Sequence, residues 1–164
     1  MGENGWMDTC IQVTRDADIA VIEGVMGMYD GVDGSDLSST AHVALISHAH
    51  VILVVDAKGM SRSVHALADG SRHYEPSLAF SGVILNRIVS PQHRSLIEPS
   101  MSIPSFDYIP RTEELAVESR HLGLRMAHES GNRGEFGKIN EENCDLDVLL
   151  TAAGRAPLLA PVIP

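Results

Sequence analysis

Three acids, Glu23, Asp30 and Asp33, stand close together in a stretch that also holds Gly24, Gly27, Gly31 and Gly34. Carboxylates are the oxygen ligands that magnesium prefers, and glycines let a backbone approach a bound ligand closely. The run before them, Ile19-Ala20-Val21-Ile22, is continuous, apolar and rich in β-branched residues. That pattern predicts a strand covered on both faces, as in a parallel sheet. Glu23 would then stand at the strand's carboxyl end, where open α/β sheets place their ligands. The same spacing also suits an acidic surface turn, and Asp33 suits a turn former equally well.

The remaining chemistry-bearing residues lie further on. Ser38 or Ser39 is placed to cap a helix that opens at Thr40, and a helix N-terminus offers free N–H groups to an anion. Asn86 closes an apolar run, and its amide carries both a donor and an acceptor. His48 and His50 form a His-x-His pair with no third ligand nearby, at a helix C-terminus that favours histidine for its own reasons. Cys10 and Cys144 stand alone, with no metal-ligand spacing and no glycine-flanked elbow of the kind a nucleophile needs.

The elements that must position these groups alternate. A short helix over 8–17 leads into the strand at 19–22. A helix over 40–49 follows, with Val43, Ala44, Leu45 and Ile46 facing inward. Val51–Val55 is the clearest strand and ends at Asp56. A helix over 61–72, a strand over 78–85, a helix over 91–100 and a short strand over 105–109 complete the alternation. Strands and helices at this spacing predict βαβ units, hence an α/β fold with a doubly wound, mostly parallel sheet and flanking helices. Residues 113–115 and 118–130 read as helical, 131–143 as a polar, glycine-bearing loop, and 145–153 as a helix capped by Asp145. The proline-punctuated end, 156–164, reads as a linker. The string Gly131-Asn-Arg-Gly-Glu-Phe-Gly-Lys-Ile139 imitates a phosphate-binding loop, but Ile139 stands where a magnesium-binding hydroxyl belongs.

The string Glu23-Gly-Val-Met-Gly-Met-Tyr-Asp-Gly31 resembles the signature of the cobyrinic acid a,c-diamide synthases, amidoligases related to dethiobiotin synthetase. The resemblance continues in order through Ser39-Thr40-Ala41, Val83-Ile-Leu-Asn-Arg87, Pro110-Arg111 and Arg120-His-Leu-Gly-Leu124. It implies a P-loop NTPase-like fold whose P-loop lies upstream of these residues, so the chain is expected to be incomplete at its N-terminus. Residues 1–130 would be the C-terminal part of an ATP-binding synthetase domain. Residues 131–164 would lead towards a glutamine amidotransferase domain that supplies ammonia.

The activity implied is ATP- and glutamine-dependent amidation of the a and c side-chain carboxylates of cobyrinic acid, through phosphoryl activation of the carboxylate. Nickel-sirohydrochlorin is the alternative acceptor, and a non-catalytic ParA/MinD-like binding module is the rival of another class. The resemblance makes Glu23 the magnesium ligand and, with Asp30, catalytic. Tyr29, Ser39 and Thr40 would face the tetrapyrrole, and Asn86, Pro110 and Arg111 the nucleotide. ATP and Mg2+ are the expected cofactors. Arg120 and His121 receive no role.

The composition agrees with one domain that has a true core, since 44% of the 164 residues are hydrophobic. A formal charge of -10 with no basic cluster argues against nucleic acid as a partner. No apolar run reaches the ~20 residues of a spanning helix. The opening residues lack the parts of a signal peptide. The two isolated cysteines, Cys10 and Cys144, make a reducing cytoplasm the expected location, and a homo-oligomer is the expected assembly.

Overall fold

The computed structural model describes residues 2–24, 27–112 and 133–157. Six helices are assigned among them: α1 (Glu3–Thr14), α2 (Thr40–Ser47), α3 (Ser63–Tyr74), α4 (Pro91–Ser95), α5 (Arg133–Asn143) and α6 (Leu146–Ala153). Three strands, β1 (Val51–Asp56), β2 (Phe80–Ile88) and β3 (Ser105–Pro110), form one sheet in the order β1-β2-β3. The chain is thus α/β, with helices separating strands that all run the same way. Val51 N donates to Ala79 O and Ala57 N to Asn86 O, both at 2.9 Å, so β1 and β2 advance together. β2 and β3 are parallel, with Val83 opposite Ser105 and Asn86 opposite Ile109.

Two bulges interrupt the β2–β3 ladder. Leu85 faces Tyr108 and Ile88 faces Pro110, which leaves Asp107 as the extra residue on β3 and Arg87 as the extra residue on β2. Both take left-handed backbone, with φ of 82° and 62°. A bulge of this kind re-aims the side chain it carries. Asp107 thereby meets Arg94, whose Nη2 donates to Asp107 Oδ1 at 2.6 Å and whose Nε pairs with Glu98 Oε2 at 2.7 Å. The Arg94 guanidinium also lies 4.7 Å from the Tyr108 ring centre.

The chain divides into two compact units, one of residues 1–51, 72–81 and 149–164, the other of residues 52–71 and 82–148. In the second unit Val55, Val64, Val83, Leu85, Ile88, Ile97 and Phe106 are buried. Gly82 is required there by contact: a Cβ on it would stand 2.7 to 2.9 Å from the Phe106 ring. In the first unit a smaller cluster of Ala41, Ala44 and Leu78 is covered by Met28, Tyr29, Leu45 and Val51.

Several expectations need correction. Residues 19–22 are not a buried strand. Ile19, Val21 and Ile22 are 41%, 87% and 40% exposed, and no backbone hydrogen bond among the described residues holds 18–24 in a ladder. An apolar, β-branched run becomes a strand only where a neighbour takes up its N–H and C=O groups.

The inward face of α2 is Ala41, Ala44 and Ser47, with Val43, Leu45 and Ile46 only half-buried. The helix expected over 91–100 breaks after Ser95 and resumes as a 3-10 turn at Glu98–Ser100. The first helix covers Glu3–Thr14 rather than 8–17. Residues 133–143, read as a loop, are the helix α5, which packs on β3, and Asp107 bridges to Cys144 just past its end. Tertiary contact overrides the weak helix propensity of Gly134 and Gly137. The helices expected over 113–115 and 118–130, with Arg120 and His121, and the linker over 158–164 lie outside the described residues. Asp145 caps α6 as expected, accepting from Val148 N at 3.0 Å.

Gly82→Ala is expected to lower stability by about 1–3 kcal/mol, because the added methyl must displace an aromatic ring in a packed layer. Urea unfolding of Gly82→Ala, alone and combined with Phe106→Leu, checks this, since the smaller Leu should restore part of the loss.

Candidate functional site

The acidic loop folds by turns of its own. Asp30 N donates to Gly27 O at 3.0 Å, and Val32 N donates to Leu37 O at 2.9 Å. A Cβ on Gly27 would overlap the Asp30 carboxylate, and one on Gly31 would stand 2.8 Å from the carbonyl carbon of Asp36. The Asp30 side chain thus lies back over the Gly27 backbone, while the residue stays exposed. Glu23 is exposed as well. It sits on an irregular segment, not at the end of a strand as expected.

Gly24 brings this segment against α2, since a Cβ on it would overlap the Thr40 side chain. Ser39, 1% exposed, is the N-cap of α2, its Oγ accepting from His42 N at 3.0 Å. Ser38 precedes it in left-handed backbone with φ 65° and donates its N–H to His42 Nδ1 at 3.1 Å. Because Nδ1 accepts, Nε2 carries the proton and donates to Glu3 Oε1 at 3.1 Å. Met28 O takes the Ala41 N–H at 2.9 Å, tying the loop to the helix start. The Tyr29 ring lies 4.5 Å from that of Tyr74, and burial, with Glu75 and Tyr74 nearby, pushes its phenol pKa up. Glu23, Tyr29, Asp30, Ser39 and Thr40 are thus all placed on this loop and the helix it packs against.

The second group gathers at the carboxyl ends of β2 and β3. Asn86 faces Ile109, Pro110 faces Ile88, and Arg111 N donates to Ile88 O at 2.9 Å. Asn86 is half-buried, its backbone carbonyl is taken by Ala57, and no hydrogen bond from the described residues occupies its amide. Such an amide fits the paired donor and acceptor of an adenine edge. The loop group and this strand-end group fall in different units.

For magnesium, the described residues hold no cluster of three or more His, Cys, Asp or Glu that could bind a metal. A magnesium held by one carboxylate, water and phosphate needs no such cluster, and the exposed Glu23 fits that single-ligand role. His48 ends α2 in left-handed backbone, and His50 Nδ1 meets Ser81 Oγ at 2.6 Å. No described helix is long and apolar enough to cross a membrane.

One feature went unnoticed in the sequence. Asp56 Oδ1 accepts from Arg87 Nε at 2.7 Å and from Lys58 N at 3.1 Å, while Arg87 Nη2 reaches Asp56 Oδ2. The guanidinium, followed by the Lys58 N–H, pulls the Asp56 carboxyl from 3.8 down to about 2. The signal was present, since Asp56 and Asn86-Arg87 each close an apolar run. Only the pairing of β1 with β2 makes them neighbours.

No protein-family model matches the chain, and no solved structure matches it. Curated relatives do. The cobyrinate a,c-diamide synthase of Caldanaerobacter subterraneus subsp. tengcongensis is 37% identical over 167 residues, 96% of this chain and 36% of that protein. The enzyme of the same description from Salmonella typhimurium is 41% identical over 160 residues, 92% of this chain and 35% of that protein. The hydrogenobyrinate a,c-diamide synthase of Streptomyces coelicolor is 40% identical over 148 residues, 85% of this chain and 30% of that protein. The chain spans about a third of the length of the curated relatives it matches.

Two measurements test the local geometry. Ser39→Ala removes a buried cap and should cost about 0.5–2 kcal/mol of stability, read from the urea midpoint. Carbon-13 NMR should find the Asp56 carboxyl titrating near 2, and shifted upwards in Arg87→Gln, where only Lys58 still holds it down. A carboxyl depressed in the folded state adds stability above its unfolded value and loses it as pH falls towards 2. The Arg87→Gln variant should therefore begin acid unfolding at only a slightly higher pH, because solvent screens this exposed pair.

Proposed function

We propose that this chain, which belongs to the cobyrinate a,c-diamide synthase family, carries part of the site that amidates the a and c carboxylates of a corrinoid precursor in cobalamin biosynthesis. The observation that carries this reading is the identity of 37–41% to synthases of that name along most of the chain. The gathering of Asn86, Pro110 and Arg111 at one sheet edge supports it. Asn86 would read the adenine edge with its half-buried amide, and Pro110 and Arg111 would flank the base or ribose. In this reading Mg-ATP, when bound, supplies the phosphoryl group that makes the carboxylate reactive. Glutamine would be the source of the ammonia.

The residues of the acidic loop divide the labour by position. Glu23 precedes the Gly24 that packs on Thr40 and would hold magnesium. Asp30, beyond the Gly27 turn, would orient the carboxylate under attack. Ser39 and Thr40 open α2, where the Thr40 N–H, free of any partner among the described residues, would meet a carboxylate oxygen. Tyr29 would lay its ring against the macrocycle. The Streptomyces coelicolor relative favours a second acceptor, since its name specifies hydrogenobyrinate. The reading therefore rests on the side-chain carboxylates and not on a metal in the ring.

The test is a chimaera in which this chain replaces its matching segment of the Salmonella typhimurium relative. With cobyrinate, ATP, magnesium and glutamine it should yield the diamide by mass spectrometry. Glu23→Gln should lower both amidations together and weaken the magnesium dependence. Asp30→Asn should spare Mg-ATP affinity while slowing single-turnover amidation by about two orders of magnitude. A chimaera that folds and binds Mg-ATP but forms no amide would overturn the reading.

A further inference from the structure

We propose that Arg87, braced by Asp56 and accompanied by Lys58, is an oxyanion-binding element at the carboxyl ends of β1 and β2, taking a phosphoryl or carboxylate oxygen. It rests on the reading above, in which this sheet edge faces substrate, and it adds residues to which that reading gives no role.

Arg87 is the extra residue of the second bulge and takes φ 62°, a region that side chains with a Cβ rarely adopt. The bulge turns it out of the ladder while Leu85 and Ile88 on either side stay buried. Strained backbone of this sort persists only where its surroundings hold it, and it gathers at ligand sites. The Asp56 carboxylate engages Nε and Nη2, so one edge of the planar guanidinium is clamped. No described residue occupies Nη1, and 46% of the side chain is exposed. A fork clamped on one side and open on the other presents its remaining donors already oriented.

The loop after β1 adds a second cation. Met60 N donates to Ala57 O at 3.0 Å, closing a turn in which Gly59 takes φ 70°. The turn leaves Lys58 exposed beside Asp56, to which its own N–H donates. Two cations thus stand against one carboxylate, on a chain whose formal charge is -10. An exposed Arg–Asp pair contributes little to stability by itself, so the strained bulge is not explained by the pair alone. An oxyanion on the open donors supplies the missing partner.

The probes are inorganic pyrophosphate and, separately, uroporphyrin, a tetrapyrrole that bears only carboxylates. Each is titrated into the whole chain at low salt while the Arg87 Nε–H resonance is followed by NMR. A saturable shift is expected with at least one probe. Pyrophosphate alone would assign the element to phosphoryl groups, and uroporphyrin alone to the substrate's carboxylates. Binding in the variants is followed at the Gly59 backbone amide, since Arg87→Gln lacks the Arg87 resonance, and that variant should weaken the responding probe about tenfold or more, as expected for losing charge-assisted hydrogen bonds. Lys58→Ala, which leaves the bulge intact, should weaken it to a lesser degree and covers the case in which Arg87→Gln misfolds. No saturable shift with either probe, or undiminished binding in both variants, would overturn the proposal. Neither titration involves turnover, so failure of the chimaera to amidate and failure of this site read out separately.

Discussion

A parallel ladder obliges every strand to end at the same edge, and the candidate nucleotide residues depend on that constraint. β2 and β3 stop together at Ile88 and Pro110, which brings Asn86, Arg87, Pro110 and Arg111 to one place although the chain separates them by a helix and a 3-10 turn. The pairing of Ala57 N with Asn86 O does the same for Asp56 and the turn after it. Each connection is only long enough to return the chain to the start of the next strand. Residues that read the ligand can therefore sit on loops while the buried strands beneath them hold their positions.

Close contact organises the acidic-loop group within its own unit. Gly24 lies where any side chain would strike Thr40, and Gly31 where one would strike the backbone near Asp36. The loop is thereby pressed onto the start of α2, where Ser39, His42 and Glu3 form a short chain of hydrogen bonds. Ser39 is buried and its Oγ accepts the His42 N–H as the cap, Met28 O takes the Ala41 N–H, and the Thr40 N–H is the first-turn donor left without a partner among the described residues.

The bulges show how a regular sheet is fitted to a particular task. Each inserts one residue with left-handed backbone, and each delivers a charged group to a partner across elements: Arg87 to Asp56, and Asp107 to Arg94. A one-residue shift reverses which face a side chain occupies, so an insertion can expose Arg87 and still return Ile88 to the core. Such a feature has no periodicity of its own and leaves no trace in the pattern of apolar residues.

The amino-acid sequence by itself determined the alternation of elements, the parallel sheet, a serine cap at 38 or 39, the Asp145 cap and the family, and the structure chose Ser39. These follow from short-range patterns: apolar runs of strand length, a hydroxyl or carboxylate before a helix, and strings of residues in a fixed order. Tertiary structure decided what depends on partners distant in the chain. Ile19–Ile22 has the composition of a buried strand but stays exposed, because strand formation is settled by the neighbour that completes the ladder. Residues 133–143 have the composition of a loop but form α5, because packing on β3 outweighs the propensities of two glycines. The Asp56–Arg87 clamp required both a register and a bulge, and a register is a property of two strands together, not of either one's sequence.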